Sequence, residues 1–192
     1  FAFGLMQFSR LKEELLRTNA RVFGHRYLMD RVVPGGVACD LGAADAGAML
    51  EEGEQLAAEL RTLRAIYYDH AGLQDRCITC GRLTPRTASR LGVVGLAARA
   101  SGHAIDVRAY PGHGPYDELG VRIASHRNGD VAARIVVRFE EAFESLRLQR
   151  RIHVVLEQGL APAPQSAIGG DHHLRLHILD AQAQSFTGVA VE

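Results

Sequence analysis

The sequence predicts a mainly α (α+β) protein, an antiparallel bundle of three long helices with a small irregular or β excursion. Three observations carry this expectation. Apolar residues recur at helical spacing in three separated stretches, about residues 5–30, 45–72 and 130–159. That spacing disappears over residues 93–128, where glycines and histidines accumulate. The chain has 192 residues, 47% of them hydrophobic and 23% charged, which is enough for a buried core.

The first helix carries Leu5, Phe8, Leu11, Leu15 and Val22 on one stripe, and Pro34-Gly35-Gly36 is expected to end it in a tight turn. Asp45 is suited to cap a second helix with the stripe Met49, Leu56, Leu60, Leu63 and Tyr67, closed by Gly72. A short extended segment is expected at Cys77–Cys80. Thr84 as N-cap, Pro85 at the first helical position and Gly92 just past the end frame a short helix. Tyr116–Leu119 and Val121–Ser125, split by Gly120, read as short extended segments or a small hairpin. Asn128-Gly129-Asp130 starts the longest helix, with Val131, Ile135, Phe139, Phe143 and Leu146 on one face, continued by Ile152 and Val155 to about Gly159. Ala161–Gly170 reads as a linker, and the stretch after it fits strand or helix equally. The expected division is a bundle core at 1–160, with the excursion at 74–128, then 161–192 as linker and the start of a truncated segment.

Composition excludes several classes. Twenty-two basic residues balance twenty-two acidic ones, so the footprint of a nucleic-acid binder is missing. Hydrophobic content is too high for a disordered chain. No apolar run approaches the roughly 18–20 residues that cross a bilayer. The chain opens on Phe1 and closes on an apolar run, which suggests a piece of a longer protein.

Three cysteines, Cys39, Cys77 and Cys80, are too few and odd in number for a disulfide scaffold and suit a reducing cytoplasm. Cys77-Ile78-Thr79-Cys80 is one C-x-x-C without the four ligands of a structural zinc site. A redox pair needs a thiolate at a helix N-terminus, whereas here a helix starts only after Thr84. Two small, half-buried residues are therefore expected, with metal or redox use the weaker alternative. His172, His173 and His177 follow a Gly-Gly linker and read as surface histidines, with metal binding as the alternative. The phosphate-loop, dinucleotide, H-E-x-x-H and G-x-S-x-G patterns are missing.

The dense polar stretch is Ser101–Asp130. Asp106 and Arg108 would share one face of an extended segment and could meet charges on the long helix, which offers Arg134, Arg138, Glu141 and Arg147. Such charges form either a solvated edge or a semi-buried network able to relay protons or set a redox potential.

In order, Gly24-His25-Arg26, Val33-Pro34-Gly35-Gly36-Val37, Leu83-Thr84, Leu91-Gly92-Val93-Val94-Gly95, Ala98-Arg99-Ala100-Ser101-Gly102, Asp106-Val107-Arg108, Tyr116-Asp117-Glu118-Leu119, Gly129-Asp130, Arg138-Phe139-Glu140-Glu141 and Ser145-Leu146-Arg147 resemble one family. It is the large subunit of membrane-associated [NiFe]-hydrogenases of the energy-converting and formate hydrogenlyase type. The quinone-site subunit of respiratory complex I is homologous to it. The resemblance runs over about residues 5–192. It implies a hydrogenase large-subunit-like fold and an oxidoreductase that docks on a small Fe–S subunit and on membrane-arm subunits. The place implied is cytoplasmic, on the inner face of the membrane.

In that family two C-x-x-C pairs hold the Ni–Fe centre, one before and one after the stretch matched here. The resemblance thus implies no cofactor in this fragment, a Ni–Fe centre in the parent, and an Fe–S cluster in the partner. Cys77 and Cys80 fall where the family has no metal pair. Asp106 and Arg108 are expected as a charged pair beside the redox core. His25, Arg26 and Arg31 would end the first helix, and Glu141 and Arg147 would anchor the bundle to the excursion. The quinone-binding Tyr of the complex I subunit falls by spacing on Arg31, and the Arg108–Tyr116 interval has the longer, hydrogenase-like length. The leading expectation is therefore a hydrogenase-like subunit, inactive as a fragment. A quinone-reducing subunit and a non-catalytic assembly module are the alternatives, and self-association through an exposed apolar face is expected.

Overall fold

The computed structural model describes residues 2–34, 36–110 and 116–159, the last five as backbone only. The expected linker, the three histidines beyond it and the C-terminal segment lie outside the described residues. Three long helices dominate: α1 (Ala2–Phe23), α2 (Ala43–Asp69) and α7 (Val131–Gly159). Between them stand the two-residue strands β1 (Val32–Val33) and β2 (Gly36–Val37), the short helices α3 (Ala71–Cys77), α4 (Pro85–Arg90), α5 (Gly95–Ala100) and α6 (Tyr116–Leu119), and a 3-10 turn at Val107–Ala109. The mainly α class with a small β element is as expected. The chain divides into two compact units, one of residues 1–56 with 145–192, the other of residues 57–144.

In the first unit α1 ends at Phe23, well before the turn expected to stop it. Gly24 takes a left-handed backbone (φ 75°), and Leu28 and Asp30 do the same without being glycine (φ 57° and 59°). The His25 ring holds this loop, its Nδ1 accepting the N–H groups of Tyr27 (3.2 Å) and Met29 (3.3 Å). The chain then reverses as an antiparallel hairpin, Val32 opposite Val37 and Val33 opposite Gly36. Phe23, Leu28 and Met49 form a buried cluster with Val22, Val37, Cys39 and Leu41 against it. Leu11 is buried, but Leu5, placed on the same predicted stripe, is exposed. Arg21 pairs with Glu52 (2.6 Å) and Asp45 (3.6 Å), and Thr18 also bonds Glu52. Asp45 therefore lies in the first turn of α2 and is not its cap; α2 begins with the Ala46 N–H donating to the Gly42 carbonyl. On the other side Gln149 donates to the Met49 carbonyl (3.2 Å), and a Cβ at Gly53 would meet Gln149 Oε1 at 3.3 Å. These contacts and Leu146 beside Gly53 run in opposite chain order, so α2 and α7 are antiparallel here.

In the second unit the same pair packs through Arg64 over the Phe143 ring (4.7 Å) and Tyr67 against Phe139 (6.3 Å), again antiparallel. Gly72 does not close α2. That helix ends at Asp69, and His70 caps the next one, its Nδ1 accepting the Leu73 N–H. Cys77 is the last residue of α3 and Cys80 lies in the turn beyond, so the expected extended segment is a helix end. Thr84 caps α4 with Pro85 at its start, as expected. Tyr116–Leu119 is helical, not extended, with Tyr116 and Leu119 buried. Helix α5 is hidden from sequence because six residues show less than two turns of period.

The start of α7 joins these pieces. Asp130, buried, accepts the Ala133 N–H on Oδ1 (2.8 Å) and the Thr79 N–H on Oδ2 (2.9 Å). Gly129 donates to the Ala100 carbonyl (2.9 Å) and accepts from Leu83 N–H (2.8 Å). A Cβ at Gly129 would sit 1.8 Å from the Leu83 carbonyl oxygen, at φ 68°. Ala100, Ala133 and Val137 pack behind this junction with Leu96 and Ala124.

Gly129→Ala should cost on the order of 3 kcal/mol or more by chemical denaturation, from backbone clash and left-handed strain together. Asp130→Ala should cost about 2 kcal/mol through the lost cap and two orphaned N–H groups. Burial alone would raise the Asp130 carboxyl, but its backbone hydrogen bonds from Ala133 and Thr79 outweigh this and hold it below the ordinary value. Its contribution is therefore present above an unfolded pKa of about 3.9, and the gap between wild type and variant should shrink as pH falls below that and through the folded value. Cys77 is 1% exposed, and burial, then the charges of Cys80 and Asp130, push its thiol up. Alkylation followed by mass spectrometry should modify exposed Cys80 at least about tenfold faster than Cys77.

Candidate functional site

From Ser101 to Asp106 the excursion has no helix or strand, so its backbone must find partners locally. Asp106 supplies one. Its side chain caps the 3-10 turn by accepting the Arg108 N–H at 3.0 Å. Arg108 then folds back on the same carboxylate as a fork, Nε to Oδ1 at 3.0 Å and Nη2 to Oδ2 at 2.7 Å. The two side chains are only 10% and 13% exposed. Burial pushes the Asp106 carboxyl up, but the side-chain and backbone hydrogen bonds from Arg108, with the charges of Arg108 and Arg99, hold it below the ordinary range. The Asp106 hydrogen bond raises Arg108 against the opposing effect of burial, and Tyr116 and Glu141 add to the rise.

A second ion pair stands beside the first. Arg99, on α5, donates from Nε to Glu141 of α7 and from Nη1 to the Ile105 carbonyl (3.2 Å). These side chains are 17% and 25% exposed. Asp106, Arg108, Arg99 and Glu141 thus form a half-buried set of two cations and two anions. Asp106 and Arg108 form the charged pair expected of them, but in a 3-10 turn and not on one face of an extended segment reaching the long helix. In a tight turn their i, i+2 spacing brings them to each other, and Glu141 takes Arg99. Arg134 bonds the Gly129 (2.9 Å) and Gly81 (3.2 Å) carbonyls, and Arg138 is exposed. Glu144, buried, accepts the Arg122 N–H (2.8 Å).

Sequence reasoning passes over Arg99. Its sequence setting, between Ala98 and Ala100 on a short helix, carries no sign of its partners; the structure shows both alanines fully buried.

The remaining candidates lie elsewhere. His25, Arg26 and Arg31 belong to the first unit, in the loop after α1. Arg26 grips Glu13 with Nη1 (3.0 Å) and Nη2 (2.6 Å), and Arg17 joins at 3.0 Å. The hydrogen bonds from Arg26 and then Arg17 hold Glu13 down to about 2. The Arg31 guanidinium lies over Gly24, and its buried Nε has no hydrogen-bond partner among the described residues. Arg147 is half-buried in the part of α7 that belongs to the first unit. Among the described residues no three His, Cys, Asp or Glu side chains converge as a metal site, so Cys77 and Cys80 stand without further ligands there.

Comparison with known proteins gives one answer at two levels. The chain is 31% identical over 147 residues to the carbon monoxide-induced hydrogenase of Rhodospirillum rubrum, covering 76% of this chain and 41% of that protein. It is 31% identical over 140 residues to an NADH-quinone oxidoreductase subunit of Granulibacter bethesdensis, covering 73% of this chain and 35% of that one. It is 30% identical over 148 residues to formate hydrogenlyase subunit 5 of Escherichia coli, covering 77% of this chain and 26% of that one. The chain thus spans well under half the length of these relatives. A family profile described as the respiratory-chain NADH dehydrogenase 49 Kd subunit matches residues 3–178, so the chain belongs to that family of oxidoreductase subunits, in which hydrogenase large-subunit-like proteins also stand.

Proposed function

We propose that the chain is the middle portion of a hydrogenase-like oxidoreductase large subunit, and that its excursion lines the redox centre of the whole protein. The observation that carries this reading is the half-buried charge set Asp106, Arg108, Arg99 and Glu141, held by hydrogen bonds on short elements of the excursion and on α7. Such a set keeps a carboxylate ionised in a poorly solvated place, where it can stabilise a developing charge or exchange a proton. The parent reaction proposed is reversible conversion of protons to hydrogen, coupled to Fe–S electron transfer through a small partner subunit. Membrane-arm subunits would complete the complex at the cytoplasmic face of the membrane. No helix among the described residues is long and apolar enough to cross a membrane.

The described residues do not fit a Ni–Fe centre, which needs soft thiolate donors gathered at one place. Cys77 is buried at a helix end and Cys80 is exposed, with no third ligand among the described residues. No step is therefore routed through that group, and thiolates for it would come from the parent outside this chain. Quinone reduction is the second reading. It is favoured by the match to the NADH dehydrogenase family, whereas Arg31 at the position expected for the quinone-binding Tyr speaks against it.

Asp106→Asn in the full-length protein should lower turnover about tenfold or more while moving the melting temperature by only a few degrees. A variant with full turnover would remove Asp106 from the redox site. Metal content of the purified parent separates the two readings: nickel supports the hydrogenase reading, and its absence with quinone reductase activity supports the other.

A further inference from the structure

We propose that Arg99 is a positioning residue for the redox site, tying the Asp106–Arg108 pair to α7 through Glu141. The inference rests on the reading of Asp106 given above. The Arg99 side chain donates hydrogen bonds in two different directions. Its Nε donates to the Glu141 carboxylate on the long helix, and its Nη1 donates to the carbonyl of Ile105, the residue that leads into Asp106. The guanidinium is planar and forked, so one rigid group fixes the helix and the start of the 3-10 turn together. Its own backbone is fixed as well, since the Arg99 carbonyl accepts the His126 N–H at 2.9 Å.

Arg99 also acts on Asp106 by charge. Among the described residues, the charges that act on the Asp106 carboxylate include Arg108, which grips it, and Arg99 from α5; Tyr116 from α6 and Glu141 from α7 act on Arg108. Removing Arg99 takes a cation from beside Asp106 and frees the peptide before it. The carboxylate should then protonate more readily and sit less firmly. Removing Glu141 acts the opposite way on charge, because an anion near the pair is lost.

The test uses pH–rate profiles of the full-length enzyme. Arg99→Gln should move the acid-side midpoint up by about one pH unit and lower kcat about tenfold. Arg99→Lys keeps the charge but not the fork, so it should leave the acid midpoint near wild type and give an intermediate kcat. The double variant Arg99→Gln with Glu141→Gln should show a smaller midpoint shift than Arg99→Gln alone. It leaves no lone charge behind, so with Arg99→Lys it carries the test should Arg99→Gln fail to accumulate. An unmoved acid midpoint in the Gln variants, with Asp106→Asn inactive, would overturn the role of Arg99 and leave the site standing. Full turnover in Asp106→Asn would overturn the site itself, and this inference with it.

Discussion

The second unit depends on one crowded junction at the start of α7. Gly129 lies so close to the Leu83 carbonyl that no side chain fits between them. This contact lets Asp130 reach both the first turn of α7 and the Thr79 peptide. A buried carboxylate that accepts two backbone N–H groups is satisfied, so its burial does not work against the fold. Through Ala100 the same junction sets the end of α5, and with it the position of Arg99. A local demand for glycine thus reaches the charged site through adjoining hydrogen-bonded peptides, without any long-range device.

The charged site follows from that anchoring. Two ion pairs are brought to one place, each less than a third exposed. Partly buried pairs offset their desolvation only when their geometry is good and their remaining donors and acceptors are used. Here the Arg108 fork meets both Asp106 oxygens, and Arg99 gives a second donor to a backbone carbonyl. Such precision suits a functional site. Exposed pairs on a surface add little to stability, and the contact of Arg26, in the loop after α1, with Glu13 of α1 is more exposed than either pair of the site.

How much of this is legible in the sequence varies with element length. The long helices α2 and α7 show their period, and Thr84 with Pro85 marks α4 by capping chemistry alone. Helix α1 is legible too, but the expected stop at Pro34-Gly35-Gly36 passes over Gly24, whose left-handed backbone follows the last helical residue, and the left-handed Leu28 and Asp30 beyond it carry no signal in their residue types. Helices of four to seven residues fall below the reach of periodicity, so Tyr116–Leu119 and the end of α3 both read as extended chain although they are helical. Asp106, Arg108 and Glu141 stand out as charges in and beside an excursion. Who pairs with whom does not, since the turn that closes Asp106 onto Arg108 is set by a cap and not by a pattern. Arg99 stays hidden inside an alanine-rich segment.

The balance of the charged set has a further consequence. Two positive and two negative groups at short range cancel as a monopole, so their combined field falls off steeply with distance. These four groups by themselves therefore do little to draw ions or charged substrates from afar. What they offer is orientation: a fixed local dipole pattern felt only by a group already in contact. On that account the four charges act on a group after its arrival.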